Sequence, residues 1–258
     1  MPQIEGFAKK LLSKGIFAVN KEKLWTSVEV LEKLKEILIK VIRGLVHCES
    51  NTLDHAATEA GVCWGCKVLP KLLSGDKKYF VRGRFGTATD TYNEAGTMTK
   101  EATFDHITEE MVTATLKTFV GHLLQTPPKY SALKRDGIRL ADLTRQGADI
   151  IVRPRYVDCY SISCLQFSPP DFSLEVSCGG GYYIRSLVHD LGERLGSCAH
   201  VTQLHRLQHG PFTESEMLEK EDWTAPCILD AIDRARNKHR HLFKKPQRTL
   251  NKETWVER

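Results

Sequence analysis

The sequence predicts an α+β fold in which helices flank a mixed, largely antiparallel sheet. Strand-like and helix-like segments follow one another without regular alternation, which disfavours a doubly wound fold. Residues 156–166 and 172–178 both have strand character and are separated by Ser168-Pro169-Pro170, which predicts an antiparallel pair. Other segments place apolar residues at helical spacing after a Ser or Thr that can cap a helix.

The N-terminal elements begin with a short buried strand at residues 15–20 (GIFAVN). Ser27 is a suitable N-cap for a helix over residues 28–43. That helix is predicted by apolar residues at helical spacing, namely Val28, Leu31, Leu34, Leu38 and Val41. A loop at residues 44–56 and a strand at residues 61–69 are expected to follow.

The middle of the chain contains a predicted strand, a turn and two helices. Residues 79–86 alternate as in a strand, and residues 93–96 (NEAG) predict a turn between two strands. Thr108 is predicted to cap a helix that ends near His122. A short helix is predicted at residues 140–145.

The C-terminal half contains a segment suited to holding an anion. The strand at residues 172–178 leads into three glycines, residues 179–181, where a ligand or another backbone can come close. An amphipathic helix at residues 184–195 follows, with Arg185 at its entry. A last helix is predicted at residues 225–236.

Composition indicates an intracellular protein with a basic end. The chain has 258 residues and a net charge of +5, and neither a long apolar run nor a secretory signal is visible. Residues 234–258 hold nine basic and two acidic side chains, a net of +7, so the remaining chain carries −2. Such a tail is typical of an electrostatic arm for nucleic acid, and a solvated, partly disordered end is the alternative.

The eight cysteines show no paired framework, which indicates reduced thiols in an intracellular protein. Cys63 and Cys66 form a CxxC pair whose functional interpretations are a redox pair or half of a zinc site. A zinc site needs a second close pair of ligands, and none is evident nearby. We therefore expect two ordinary structural cysteines without a chemical role.

Four collinear blocks resemble the TruB family of RNA pseudouridine synthases. Residues 179–192 (GGGYYIRSLVHDLG) are similar to the family's C-terminal signature. Residues 125–147 match its QxPPxYSAxKxxG block, residues 77–91 match its KxY…G…TDT block, and residues 51–57 (NTLDHAA) match the core of its GxLDxxA block. The resemblance covers roughly residues 15–212 and implies a pseudouridine synthase-like catalytic domain, and four blocks in order are far more specific than one.

The resemblance implies three catalytic residues. Asp54 matches the catalytic carboxylate, although its local sequence alone favours a helix N-cap. Arg185 matches the arginine that pairs with this carboxylate and keeps it ionised; the alternative, a surface Arg, would place a cation unfavourably in the first turn of a helix. Tyr79 matches the tyrosine that stacks on the flipped base and takes part in removing the C5 proton, and a strand Tyr in the core is its alternative.

Further substrate-binding residues are expected in the same blocks and in the N-terminal loop, and no metal or organic cofactor is implied. The expected substrate-binding residues are Lys21, Lys78, Asp90, Tyr130, Lys134 and Tyr183.

The N-terminal third departs from the family pattern. The expected KPxGxTS motif reads KEKLWTS at residues 21–27, and the expected GHxGxLD reads CESNTLD at residues 48–54. Glu49 therefore replaces the family's His, and Asn51 replaces a Gly. These departures leave open a catalytically weakened or inactive relative that binds RNA. A thiol redox or zinc protein built on the CxxC pair is a third, less favoured reading.

The resemblance implies an isomerase that acts on the uridine at position 55 in the T-loop of tRNA. The expected partner is the tRNA T-stem-loop, with messenger RNA as a further candidate, and no membrane. A monomer located in the nucleus and cytoplasm is expected, of the eukaryotic type without a PUA domain. Residues 1–14 form a predicted N-terminal extension, residues 15–233 the catalytic domain and residues 234–258 the basic tail.

Overall fold

The computed structural model describes residues 11–12, 15–21, 25–39, 46–48, 55–62 and 69–243, and the fold below refers to these residues. The predicted α+β class is confirmed. The strands are β1 (Ile16–Lys21), β2 (Val46–Cys48), β3 (His55–Val62), β4 (Lys77–Phe85), β5 (Thr87–Thr89), β6 (Met98–Glu101), β7 (Gly121–Gln125), β8 (Lys134–Arg135), β9 (Ile138–Arg139), β10 (Arg155–Ser168), β11 (Asp171–Cys178), β12 (Ala199–His209), β13 (Phe212–Thr213) and β14 (Met217–Leu218). The helices are α1 (Ser27–Ile39), α2 (Leu69–Leu73), α3 (Glu109–Lys117), α4 (Leu140–Arg145), α5 (Ile184–Arg194) and α6 (Ala225–Lys238).

One mixed sheet organises these elements. Its strand order is β14-β1-β3-β12-β4-β11-β10-β7, with β13 paired to β12 and β2 paired to β3. The β12–β3 and β1–β14 pairs are parallel, whereas the other neighbours in this sheet are antiparallel. The predicted pairing of β10 with β11 is confirmed. The sequence therefore predicted both the mixed character and the antiparallel majority of this sheet.

The larger hydrophobic core lies between this sheet and helices α3 and α5. Alternate residues of β4 point into it, including the fully buried Val81 and Phe85, and the Phe85 ring stacks on Phe172 of β11 at 4.3 Å between centroids. Leu187 and Leu191 of α5 are also fully buried. Each such side chain contributes roughly 1.5–3 kcal/mol by leaving water, so this packing fixes α5 firmly on the sheet.

A second core joins α1 and α6 to β1. The buried stripe of α1 is Val30, Leu34 and Leu38. Val28, which was expected on the apolar face, is 51% exposed. Positions 30, 34 and 38 are spaced by four residues, so they share one face of the helix and Val28 falls beside it.

The cap of α1 differs from the prediction. Thr26, not Ser27, is the cap residue: its hydroxyl accepts a hydrogen bond from the Glu29 amide at 3.2 Å, while the Glu29 carboxylate accepts from the Thr26 amide at 2.6 Å. This reciprocal pair is a capping box, in which the cap and the residue three positions later satisfy each other's backbone donors. Ser27 is buried inside the first turn. The predicted cap at Thr108 is confirmed, since its hydroxyl accepts from the Met111 amide.

Three other boundaries were predicted wrongly. The strand expected at residues 61–69 is β3, which already begins at His55, and α2 starts at Leu69. The helix after Thr108 ends at Lys117, because the chain turns at Gly121, where φ is 112°, and enters β7. The short β2 lies inside the region expected to be a loop.

Strand β12 was not predicted, although it lies in the middle of the sheet. It shifts register against β4 between Val201 and Gln203 and again between Arg206 and Gln208. Each shift inserts a residue and breaks the two-residue alternation that identifies a strand in sequence. The helices predicted at residues 184–195 and 225–236 are confirmed as α5 and α6.

Candidate active site

A cavity of about 710 Å³ opens where β4 and β12 meet the start of α5. Two loops contribute to its wall: the Asp90 loop, residues 90–97, and the Tyr130 loop, residues 126–133. The predicted site residues Tyr79, Asp90, Tyr130, Tyr183 and Arg185 line this cavity together. Residues that are up to 106 positions apart in the sequence are thus brought to one place.

The side-chain alternation of β4 decides which of its residues reach the cavity. Lys77 and Tyr79 lie on the cavity side of the strand. Lys78 lies on the opposite face, because neighbouring strand residues point in opposite directions, and its ammonium group pairs with Glu175 at 2.9 Å. The structure therefore does not bring the predicted substrate-binding Lys78 to the cavity. Lys77, which was not predicted, is there instead, with its ammonium group donating to the Leu73 carbonyl at 2.8 Å.

The start of α5 is held by a buried glutamine. Gln125 is 4% exposed, and its amide makes two hydrogen bonds with the backbone of Tyr183: the side-chain oxygen accepts from the amide at 2.8 Å and the side-chain nitrogen donates to the carbonyl at 2.9 Å. Tyr183 is the N-cap of α5 and its own side chain makes no capping hydrogen bond. Gln125, which lies on β7, therefore satisfies backbone hydrogen-bonding groups at the start of α5, as a capping side chain in the helix itself would.

Arg185 joins both loops to α5. One terminal nitrogen donates to the Thr91 carbonyl of the Asp90 loop, and the other donates to the Tyr130 carbonyl, each at 2.8 Å. A guanidinium in the first turn of a helix lies near the positive end of the dipole, which is unfavourable. The two carbonyl dipoles compensate that cost and fix the plane of the guanidinium. This supports a positional role for Arg185 over that of an ordinary surface Arg.

Asp90 is hydrogen-bonded to both cavity loops. One carboxylate oxygen accepts from the Thr97 amide at 2.9 Å, and the other accepts from the Tyr130 hydroxyl at 3.2 Å. Burial and the Asp90 carboxylate raise the pKa of Tyr130, so its hydroxyl stays protonated and continues to donate. The geometry therefore makes Asp90 an organiser of the cavity wall.

Two tyrosines give the cavity an apolar side. Tyr182 is 6% exposed, and burial raises the pKa of its hydroxyl far above the ordinary value. Burial also raises the pKa of Tyr183, and the nearby Arg185 charge partly offsets this effect. Both phenols are therefore neutral at physiological pH, and they restrict water on this side of the cavity.

Three arginines bring positive charge to this cavity. Arg139, Arg145 and Arg206 line the cavity, and Arg206 is only 6% exposed. The guanidinium of Arg145 is bonded to Asp142 at 2.9 Å. Cationic groups that line a cavity are suited to holding a polyanion such as an RNA backbone.

Two predicted substrate-binding lysines are not among the residues that line the cavity. Lys134 is exposed in the β8–β9 hairpin. Lys21 is fully buried in β1, where its ammonium group donates to the Trp25 carbonyl at 2.8 Å. A lysine inside a strand of the N-terminal core serves the packing of that core. Its expected contact with substrate stays a prediction.

The glycine run before α5 makes its close approach to the protein itself. A Cβ atom on Gly180 would lie 2.8 Å from the Leu73 carbonyl oxygen, so only glycine fits against that backbone. Gly181 lines the cavity and has φ at 87°, a conformation that glycine adopts freely. The prediction that this segment holds an anion stays a prediction.

Asp54, Glu49, Asn51 and the Cys63–Cys66 pair lie outside the described residues. The chain directly after Asp54 is a strand, β3, and not a helix. The alternative in which Asp54 caps a helix is therefore wrong.

Two other features, a cluster of metal-binding side chains and a membrane-spanning helix, are absent from the described part of the chain. No group of three or more His, Cys, Asp or Glu side chains could hold a metal ion there. Within the same residues, no helix is both long and apolar enough to span a membrane.

Comparison with known proteins shows the family. The profile described as "TruB family pseudouridylate synthase (N terminal domain)" matches residues 48–184, and that described as "tRNA pseudouridylate synthase B C-terminal domain" matches residues 185–242. Pseudouridylate synthase TRUB1 of Homo sapiens is 43% identical over 244 residues, covering 88% of this chain and 70% of that protein. A tRNA pseudouridine synthase B of Clostridium perfringens is 35% identical, covering 83% of this chain and 73% of its own length.

A solved structure supports the same fold. A crystal structure of a Cbf5-Nop10-Gar1 complex contains a chain that matches with a TM-score of 0.65 and 22% sequence identity. The match covers 91% of this protein, which spans 58% of that chain. By its profile matches and its identity to these relatives, the protein belongs to the TruB family of pseudouridylate synthases.

Proposed function

We propose that this protein is an RNA pseudouridine synthase that isomerises the uridine at position 55 in the T-loop of tRNA. The observation that carries the proposal is the cavity in which Tyr79, Asp90 and Arg185 meet, in a chain that belongs to this family. The Clostridium relatives are named as tRNA pseudouridine synthases, which supports tRNA as the substrate.

The reaction requires a pocket for one base and a carboxylate. The N1–C1′ bond of the target uridine breaks, the uracil turns, C5 bonds to C1′, and the C5 proton leaves while N1 gains one. Because the target base lies inside folded RNA, it must first be flipped out into the protein. A cavity of about 710 Å³ has room for such a nucleotide.

Asp54 is our proposed catalytic carboxylate. Strand β3 begins at the next residue, His55, which pairs with His205 of β12, and Ala56 pairs with Arg206. Arg206 lines the cavity. The chain thus enters the sheet beside the cavity immediately after position 54. A carboxylate there would support cleavage of the glycosidic bond, either as nucleophile or by stabilising the developing cation.

Arg185 and Tyr79 take the other two roles. The Arg185 guanidinium is fixed by two carbonyl oxygens, and its charge favours the ionised form of a carboxylate brought near it. Tyr79 presents its ring from the cavity side of β4, where it can stack on the flipped uracil and where its hydroxyl can assist removal of the C5 proton. Glycosidases use a second carboxylate to activate water; here water is a competitor, and the buried Tyr182 helps to exclude it.

A second candidate function is RNA binding without turnover. It is favoured by one observation, the replacement of the family's His and Gly by Glu49 and Asn51 close to Asp54. A loop displaced by about 1 Å can lower a rate about a hundredfold. Action on messenger RNA, a monomeric state, the division into domains and a nuclear and cytoplasmic location stay predictions.

Tritium release from C5-labelled uridine separates the two candidates. A T-stem-loop RNA carrying the label is mixed with excess protein, and single-turnover release is compared between the parent protein and Asp54→Asn, with RNA affinity measured in parallel. The synthase predicts release by the parent and none by the variant, at similar affinity for RNA. Binding by both proteins without release from either would establish the non-catalytic function and overturn the proposal.

A further inference from the structure

The Asp90 loop must be held in place for the cavity to exist. It supplies Asp90 and the Thr91 carbonyl that accepts from Arg185. Its strands, β5 and β6, form a separate two-stranded sheet. The loop meets the main sheet at Val201 of β12, whose carbonyl accepts from the Glu94 amide at 2.9 Å. The position of the loop relative to α5 depends in addition on direct contacts with that helix.

Helix α5 contacts the Asp90 loop at two places one turn apart. Arg185 donates to the Thr91 carbonyl at 2.8 Å. His189 stacks face to face on the next loop residue, Tyr92, with ring centroids 3.9 Å apart and an angle of 7° between the planes. Residues four apart lie on the same face of a helix. One face of α5 therefore contacts two successive loop residues, one through a charge and one through a ring.

The backbone of Tyr92 is arranged to make this stack. Its φ is 61°, in the left-handed region that residues other than glycine rarely adopt. Its amide donates to the Thr89 carbonyl at 3.1 Å, and its carbonyl accepts from the Val201 amide of β12 at 3.0 Å. A residue keeps such a conformation only when its surroundings impose it, and such residues cluster at functional sites.

His189 contributes through its ring face. Burial lowers its pKa, so the imidazole is neutral. Its Nδ1 atom is buried and has no hydrogen-bond partner among the residues that the structure describes. A buried imidazole is normally stabilised by hydrogen bonds to its ring nitrogen atoms. Here the contact that the geometry provides is the stack with Tyr92.

We propose that Tyr92 and His189 are positioning residues for the reaction, which act by stacking to hold the Thr91 carbonyl against Arg185. This inference rests on the proposed function. Neither side chain lines the cavity, so both act through Arg185. Loss of the stack lets the Asp90 loop move on α5 and frees the guanidinium from one of its carbonyl partners.

The variants separate the ring from the backbone. Tyr92→Phe and His189→Phe keep a flat ring, whereas Tyr92→Gly tolerates the left-handed backbone and removes the ring. His189→Ala removes the other ring. Tyr156→Ala is the matched control, because Tyr156 stacks on His122 with a centroid distance of 4.9 Å and an angle of 1°, in a pair that does not line the cavity.

Single-turnover tritium release at saturating RNA is the first measurement. We expect Tyr92→Gly and His189→Ala to lower the rate constant about 10- to 100-fold, the range for a misplaced catalytic group, with RNA affinity unchanged within about twofold. The two Phe variants and Tyr156→Ala should react like the parent. The double variant Tyr92→Gly/His189→Ala should be no slower than the slower single variant, because both remove one contact.

A second measurement needs no activity. Nitrogen-15 NMR of the Arg185 guanidinium reports how fast its protons exchange with water. Exchange should be faster in Tyr92→Gly and His189→Ala and unchanged in Tyr92→Phe. If the parent protein releases no tritium, the proposed function fails while this exchange test still decides the stack. The inference would be overturned if the Arg185 protons exchanged in Tyr92→Gly and His189→Ala as slowly as in the parent protein. It would also be overturned if the parent released tritium and both variants released it at the same rate.

Discussion

Replacing Gln125 with leucine should destabilise the protein by about 2–3 kcal/mol. Leucine has a similar volume, so the change removes the two hydrogen bonds to Tyr183 with little effect on packing. The Tyr183 amide then loses its partner at the buried start of α5, which costs about 1–3 kcal/mol. Loss of the hydrogen bond to the Tyr183 carbonyl costs less free energy, because this carbonyl still accepts a hydrogen bond from the Leu187 amide at 3.1 Å.

Urea unfolding followed by circular dichroism measures this loss. The midpoint should fall while the dependence of the free energy on urea stays constant, which indicates a change in stability alone. Gln166→Leu is the matched control, because Gln166 is exposed at the far end of β10 and its replacement should change stability by less than about 0.5 kcal/mol. A loss in Gln125→Leu no larger than in this control would refute the argument that Gln125 holds the start of α5.

Three further changes test separate parts of the structure. Burial raises the pKa of Asp190 to about 6, so its charge destabilises the fold above that pH. Asp190→Asn should therefore raise the free energy of unfolding by roughly 1–2 kcal/mol at pH 7, after allowance for partial exposure, and should leave it unchanged near pH 4. Urea unfolding at both pH values measures this difference. Gly96→Ala would push a Cβ into the Asp90 carboxylate, so tritium release should slow about 10- to 100-fold. Thr26→Ala removes the capping box with Glu29 and should cost about 1 kcal/mol in urea unfolding.

Each of these changes has a control or an outcome that would contradict its explanation. The sign for Asp190 follows from its raised pKa: the folded state binds the extra proton between about pH 4 and 6, so the stabilising contribution is lost as the pH rises through 6. An equal gain at both pH values would therefore exclude this cause. Gly137→Ala is a control for the steric effect alone, because no atom lies within 4 Å of the Cβ position at Gly137. The φ of Gly137 is 82°. Ser27→Ala should cost less than Thr26→Ala, and the reverse order would restore Ser27 as the cap.

Local signals in the sequence predicted much of the fold. The sequence predicted the Thr108 cap, the β10–β11 pair and helix α5. Capping, alternation and helical periodicity each depend on residues that lie close together in the sequence, so they can be recognised without the structure. Strand β12 was missed because its two register shifts remove that alternation. The Thr26 capping box was present in the sequence as Thr-x-x-Glu, so this signal was available and the adjacent Ser27 was favoured in its place.

The candidate site was predicted less completely, for physical reasons. Strand alternation alone would have placed Lys77 with Tyr79 and excluded Lys78, so that correction was within reach of the sequence. The contact of Gln125 with Tyr183 joins residues 58 positions apart and depends on how β7 packs beside α5. No local pattern reports such a contact. The same holds for Arg185, whose partners come from two separate loops.

The most direct test of the central claim is nucleoside analysis at one position. A T-stem-loop RNA with isotope-labelled uridine only at position 55 is incubated with the parent protein or with Asp54→Asn, then digested, and the labelled nucleoside is identified by chromatography and mass spectrometry with sequence-specific fragmentation. We expect labelled pseudouridine from the parent and unchanged labelled uridine from the variant. Unchanged uridine after incubation with a parent protein that binds the RNA would contradict the claim that this cavity catalyses the isomerisation.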